Sequence, residues 1–236
     1  LPAFLRDAPL DLAVTLDRAG GAAAALRTQA RGSAGGGTLD LTLASRGTRI
    51  EGGTATLTAP RAGAWFGRTD IVGLQQPAEL HVTAERPDGQ ALALTANGTV
   101  AGLRLSTGRP ILVGPDFVPT GGTPRADTAD LAPFLTLAGA ATLAPGAWPA
   151  DLTVTLSRQQ GEAAAALAGT VAGAGVNGTL LRAAGGALHG RLALDRLSIP
   201  QLAAALVIPP GATGAFAPPT AHPAVSLDVR VASLDL

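Results

Sequence analysis

A ten-residue segment that returns three times, each time opened by proline, constrains this chain more than any other feature: Pro9-Leu10-Asp11-Leu12-Ala13-Val14-Thr15-Leu16-Asp17-Arg18, Pro77-Ala78-Glu79-Leu80-His81-Val82-Thr83-Ala84-Glu85-Arg86 and Pro149-Ala150-Asp151-Leu152-Thr153-Val154-Thr155-Leu156-Ser157-Arg158. Apolar and polar residues alternate through each copy. A period of two puts one set on each face of an extended strand. A looser fourth copy, Pro223 to Val231, alternates Val225, Leu227, Val229 and Val231. Segments recurring at about seventy residues mark a repeat architecture, whose units bury their apolar faces against neighbours. The units fall at 9–76, 77–148 and 149–222. Residues 1–8 read as the tail of a preceding unit, because Leu1-Pro2-Ala3-Phe4-Leu5 echoes Leu131-Ala132-Pro133-Phe134-Leu135, and 223–236 read as the start of a next one. With no methionine present, the expectation is a single repetitive β domain cut from a longer array.

Turn signals follow each copy at Gly20-Gly21, Pro87-Asp88-Gly89 and Gln160-Gly161, and then come Ala/Leu segments at 22–26, 91–94 and 163–167. This is the pattern of β-hairpins in series. A third strand is expected to open with a Gly-Thr-apolar step at Gly37-Thr38-Leu39, Gly98-Thr99-Val100 and Gly178-Thr179-Leu180. Two of these steps follow Asn, at Asn97 and Asn177, which reads as a hairpin turn because both residues of Asn-Gly tolerate positive φ. Gly32 to Gly37 reads as a mobile loop between two strands. Each unit closes with a short helical possibility at 69–74, 128–135 and 198–207, the last with Ser198 and Gln201 spaced as a capping box. The fold class is therefore all-β: an elongated, repetitive antiparallel sheet curled into a groove or an open sandwich, with a few short helices.

Composition sets the chemistry of that sheet. Hydrophobic residues make up 47% of the chain but aromatics only 3%, so the apolar face is built from Leu, Val and Ala. The usual aromatic fillers of a wide core are scarce. Trp65-Phe66 and Trp148 are the large landmarks, expected to pack the irregular segments against the sheet. Seventeen basic residues balance seventeen acidic ones without clustering, which argues against a nucleic-acid partner. Leu131 to Ala150 and Leu197 to Leu227 are uncharged and long enough to span a bilayer, but repeated proline breaks both. An outer-membrane barrel would need aromatic girdles at both interfaces, and there is no Tyr.

No catalytic site is legible, and the expectation is a protein that is not an enzyme, with no cofactor and no metal. There is no Cys and no Lys, so thiolate chemistry and a phosphate-loop NTPase site are absent. Gly173-Ala174-Gly175-Val176-Asn177-Gly178 matches a dinucleotide fingerprint, yet glycines follow where a helix must run, so it reads as a hairpin. His81, His189 and His222 lack metal-ligand spacing, and no Gly-x-Ser-x-Gly elbow occurs.

A continuous face of Leu, Val and Ala must be covered, because exposed apolar area costs ~25 cal/mol per Å². A second sheet would make a filled structural or adhesive cell-surface repeat. A curled sheet would leave a trough suited to acyl chains. On the trough reading the lining is the inward set of the repeated strands: Leu12, Val14, Leu16, Leu39, Leu41, Leu43, Leu80, Val82, Leu92, Leu94, Leu103, Leu105, Leu152, Val154, Leu156, Leu192 and Leu194.

The tandem alternating strands, the Gly-Thr-Leu restarts and the run Leu192-Ala193-Leu194-Asp195-Arg196-Leu197-Ser198-Ile199-Pro200-Gln201-Leu202-Ala203-Ala204-Ala205-Leu206 resemble the AsmA-like and TamB families of bacterial envelope proteins. That resemblance implies a β-taco groove that carries phospholipid by its acyl chains across the periplasm and supports outer-membrane biogenesis. It further implies a membrane anchor outside this stretch and an outer-membrane barrel partner reached through other parts of a longer chain.

Overall fold

The alternating segments form strands, and among the described residues there is little other regular structure. The computed structural model describes residues 10–18, 24–34, 36–87, 91–137, 148–159, 161–183, 186–198 and 225–235. The chain divides into two compact units, Leu1–Pro124 and Arg125–Leu236, with the division inside a strand. The first unit holds β1 (Leu10–Asp17), β2 (Leu26–Ala34), β3 (Gly37–Arg46), β4 (Arg49–Ala59), β5 (Ala78–Glu85), β6 (Leu92–Val100), β7 (Leu103–Val113) and the start of β8 (Pro119–Thr128). The second holds β9 (Ala150–Gln159), β10 (Glu162–Val171), β11 (Ala174–Arg182), β12 (Leu188–Leu194), β13 (Leu197–Ser198), β14 (Val225–Val231) and β15 (Leu234–Asp235). In the first unit β1 to β8 follow one another in sequence order as hydrogen-bonded neighbours, and in the second β9 to β12 do so with β14 added beside β12, while β13 and β15 form a separate pair. The fold is all-β. Pairing is mainly antiparallel, but β14 lies parallel to β12.

Each repeat thus supplies four long strands among the described residues, the third adding the two-residue β13, and the second strand is longer than its Ala/Leu segment suggests. Two sequence expectations fail here. Asn97-Gly98 is inside β6 and Asn177-Gly178 inside β11, neither at a turn. The hairpins instead turn at Ala101-Gly102 and Ala172-Gly173, with φ of 49° and 80° in the first and 51° and 78° in the second. Two successive positive φ values are the type I′ geometry that matches strand twist. The true equivalence is Gly98-Thr99-Val100-Ala101-Gly102 with Gly169-Thr170-Val171-Ala172-Gly173, an identical pentapeptide that ends the second strand and makes the turn. Only Gly37 opens a third strand as expected. The Gly32–Gly37 stretch is likewise no long loop, since β2 runs to Ala34 and β3 resumes at Gly37.

Within that pentapeptide the first glycine has a special place. Gly98 and Gly169, with Gly32 at the matching position of the first repeat, adopt φ of 155°, 150° and 152°. They face Leu80, Leu152 and Leu12 across the ladder. A Cβ at any of the three would fall on the carbonyl oxygen of Glu79, Asp151 or Asp11. Glycine inside a strand here marks close backbone approach.

The first unit's sealed core is a lid at one end of the sheet. After β4 the chain makes two 3-10 turns, Ala62–Phe66 and Val72–Gln75, the second overlapping the region 69–74 expected to be helical and the first unanticipated. Their side chains Ala62, Trp65, Ile71 and Leu74 are buried with Ala59, Ala78, Val100 and Ala101 of the strand ends, and Leu74 is completely enclosed. Trp65 is accommodated by glycine: a Cβ on Gly37 would stand 2.9 Å from its Nε1. Leu74→Ala should lower stability by about 2–3 kcal/mol, because it removes a fully buried side chain and leaves a cavity; a chemical-denaturation midpoint unchanged from the parent would show that the lid does not contribute. In the second unit α1 (Ala132–Leu137) falls in the expected helical region, with Ala132 and Pro133 buried. The third helical expectation lies almost wholly outside the described residues, and Ser198, its intended cap, is in β13.

On the lid's outer side Arg68 donates two hydrogen bonds to Asp70, at 2.8 and 2.9 Å. These bonds hold the Asp70 carboxyl below the ordinary carboxylate range. A depressed folded-state value means the pair contributes above the unfolded carboxylate range and is lost as pH falls through the folded value. Both partners are well exposed, so the contribution to stability is small. NMR titration should find the Asp70 midpoint below that of a free aspartate, and Arg68→Gln should restore it.

Candidate functional site

Register converts the alternation into two chemically opposite faces. In the first unit, partners directly across the ladder line up Leu12, Gly32, Leu39, Leu57, Leu80, Gly98 and Leu105 in one row. The next row is Val14, Ala30, Leu41, Ala55, Val82 and Ala96, and the one after it Leu16, Thr28, Leu43, Gly53, Ala84, Leu94 and Ile111. Val100 with Leu103, and Leu92 with Val113, extend the same face toward the two strand ends. All twelve expected lining residues of the first unit therefore share one face: Leu12, Val14, Leu16, Leu39, Leu41, Leu43, Leu80, Val82, Leu92, Leu94, Leu103 and Leu105.

The second unit repeats the arrangement. Leu152, Gly169, Val176, Leu194 and Val231 form one row, Val154, Leu167, Gly178, Leu192 and Val229 a second, and Leu156, Ala165, Leu180, Gly190 and Leu227 a third. The five expected residues Leu152, Val154, Leu156, Leu192 and Leu194 lie together on this face. Sequence reasoning missed Leu57, Ile111, Leu167, Val176, Leu180, Leu227 and Val229 as lining, because it drew mainly on the repeated segments. The fourth copy's alternation did signal Leu227 and Val229.

Glycine gives these faces their relief. A Cβ on Gly178 would stand 2.5 Å from Leu192 Cδ2, and one on Gly190 would stand 2.9 Å from Leu180 Cδ2. Each leucine leans over the bare backbone beside it. The rows are thus a low, smooth aliphatic surface instead of interlocking knobs.

The opposite face carries the charged and hydroxyl side chains, interspersed in the second unit with Ala164, Ala166, Ala168 and Leu181, and it is internally bonded. Thr38 bonds Thr58, Thr83 bonds Thr95 at 2.7 Å, and Thr56 meets His81 Nδ1 at 3.1 Å. Arg31 pairs with Asp40 at 3.0 Å. In the second unit Arg125 grips Asp151 through two hydrogen bonds, which raise the guanidinium's pKa further, and Arg191 lies 3.9 Å from Asp228. Such cross-strand pairs stabilise the solvent side of a sheet.

The apolar face is not sealed. Its leucines and valines in β3, β5, β9 and β12 are half-buried, while Val14 and Leu16 at the β1 edge are 58% and 64% exposed. The buried side chains are mostly alanines or sit at strand ends, and Leu74 of the lid is the largest one wholly enclosed among the described residues. Also among the described residues, no three His, Asp or Glu side chains converge, and no helix is long and apolar enough to cross a membrane. His81 and His189 are on the polar face, His189 lying 3.5 Å from Glu162; His222 is outside the described residues. No protein-family model, no curated protein and no solved structure matches the chain.

Proposed function

We propose that this face is a non-catalytic groove that holds phospholipid by its acyl chains and passes it along the rows, within the envelope lipid-handling role that the AsmA-like and TamB resemblance implies. The observation that carries the reading is the unbroken Leu12 to Leu105 row, aliphatic or glycine at every strand and left half-covered. Seven strands at ~4.8 Å spacing make it about 29 Å long, close to the ~30 Å hydrocarbon thickness of a bilayer. Each half-buried leucine that a chain covers recovers on the order of 1 kcal/mol. The smooth relief imposes no register on a sliding chain, and the rows, aliphatic or glycine apart from Thr28, impose no headgroup. On this reading the protein works in the periplasm, tethered through a longer chain that also meets an outer-membrane barrel protein.

The test is direct. The chain purified from a Gram-negative host and extracted with organic solvent should release phospholipid detectable by mass spectrometry. A lipid-free extract, together with no labelling by a photoactivatable acyl chain at Leu152 or Val154, would favour the filled structural or adhesive repeat instead.

A further inference from the structure

At the end of the first unit opposite the lid, the apolar face runs into a cavity of about 530 Å³. Ile50, Leu92 and Val113 form its apolar wall, Phe117 lines it too, and Arg49 and Arg86 supply positive charge. Leu92 and Val113 are cross-strand partners in line with the neighbouring Leu94 and Ile111 row, so the cavity is continuous with the proposed acyl surface. Its size and its mix of aliphatic wall with a few charged groups are those of small-molecule sites.

Two features show how the mouth is held. Arg86 donates through Nε to the Ile50 carbonyl at 2.8 Å, which fixes the guanidinium at the rim. Arg49 lies 3.7 Å from Glu51, with both side chains partly exposed; a pair this loose exchanges readily for a better acceptor. Phe117 is 72% exposed and sits at φ 56°, a conformation that costs a bulky residue strain. Its turn is bonded on both sides, Phe117 N–H to Gly114 O at 3.1 Å and Gly114 N–H to Val118 O at 3.0 Å. A strained, exposed aromatic ring beside two guanidinium groups is suited to an amphiphile.

We infer that this cavity receives the head end of an anionic amphiphile: a phosphate or carboxylate on Arg49 and Arg86, with the first methylenes of its chain against Ile50, Leu92, Val113 and Phe117. The guanidinium fork matches such oxyanions bidentately. The inference rests on the reading of the face as an acyl surface and adds to it a charge preference and a point of entry.

The full chain is titrated calorimetrically with dihexanoyl phosphatidylglycerol, dihexanoyl phosphatidylcholine and inorganic phosphate, each lipid below its micelle concentration. Phosphatidylglycerol should bind at least about tenfold more tightly than phosphatidylcholine, and phosphate alone at least about tenfold more weakly than phosphatidylglycerol. Arg49→Gln, and the double variant Arg49→Gln/Arg86→Gln, should remove the preference by weakening phosphatidylglycerol more than phosphatidylcholine until the two bind alike; the single variant keeps the Arg86 bond to Ile50 and remains informative if the double one misfolds. Equal affinity for the two lipids, or a preference that survives both variants, overturns the cavity assignment while leaving the face a lipid surface. Phosphate binding as tightly as phosphatidylglycerol overturns it in favour of a plain anion site. Binding of neither lipid also overturns it, and lipid recovery from the purified chain then judges the face separately.

Discussion

Gly98→Val should unfold the middle of the first unit, with a loss of at least about 3 kcal/mol. Two independent penalties meet at this position. The backbone sits at φ 155°, which valine, branched at Cβ, reaches only under strain. The new Cβ would also fall on the carbonyl oxygen of Glu79, a backbone atom of β5 that no rotamer change can move aside. Relief requires β5 and β6 to separate, and that dismantles the Leu80 and Leu105 steps of the main apolar row. Gly47→Ala is the control: its φ is 60° and an added Cβ meets nothing within 4 Å, so the cost is only the left-handed backbone, about 1 kcal/mol. In a repeat array neighbouring interfaces share the damage, so the comparison is best made on denaturation midpoints followed by Trp65 fluorescence. Similar shifts for the two variants would show that the close approach at Gly98 is incidental.

That glycine also shows where the sequence stops being readable by local cues. The alternation of the three proline-led segments is enough to place β1, β5 and β9, because the period of a half-buried strand needs no tertiary context. Asn97-Gly98 has a strong local hairpin signal, and the structure overrides it. Had the chain turned there, Val100 would have had no place opposite Ala78, and the end of the apolar face that the lid covers would be missing. The strand continues until that pair is buried, and Ala101-Gly102 makes the turn. The repeated Gly-Thr-Val-Ala-Gly pentapeptide was a usable signal, obscured by the similar Gly-Thr-Leu at Gly178, which lies in mid-strand. The parallel addition of β14 was not legible at all, since alternation gives a strand's faces and not its direction.

The face itself followed from the same alternation, and residues outside the repeated segments joined it only through register. Leu57 and Leu167 sit in rows with Leu80 and Val154 because antiparallel pairing carries the side-chain period from one strand to the next. The pocket beside Arg49 and Arg86 was hidden for the opposite reason. Its walls come from the β3–β4, β5–β6 and β7–β8 connections, and nothing in the periodicity of a single strand brings those loops together.

Val154→Asp should strip the second unit of lipid while leaving it folded, and Thr155→Asp should leave both lipid and fold intact. Val154 stands in the row with Leu167, Gly178, Leu192 and Val229; Thr155 is its neighbour on the opposite face and exposed. Because Val154 is only half-buried, an aspartate there keeps access to water in the empty protein, and the folding cost stays near 1 kcal/mol. With an acyl chain laid over it the same carboxylate is pressed against hydrocarbon, which costs about 3 kcal/mol by the scale for a charge inside a bilayer. Loss of the valine's own contact adds on the order of 1 kcal/mol, so retention should fall by roughly two to three orders of magnitude. The measurement is phospholipid recovered per mole of purified variant, with circular dichroism confirming that each is folded. Equal recovery from both variants would mean the chain does not lie on this face. Loss of fold in Val154→Asp before any loss of lipid would mean the row is sealed by protein, because only a side chain already cut off from water makes a new charge that costly without a guest.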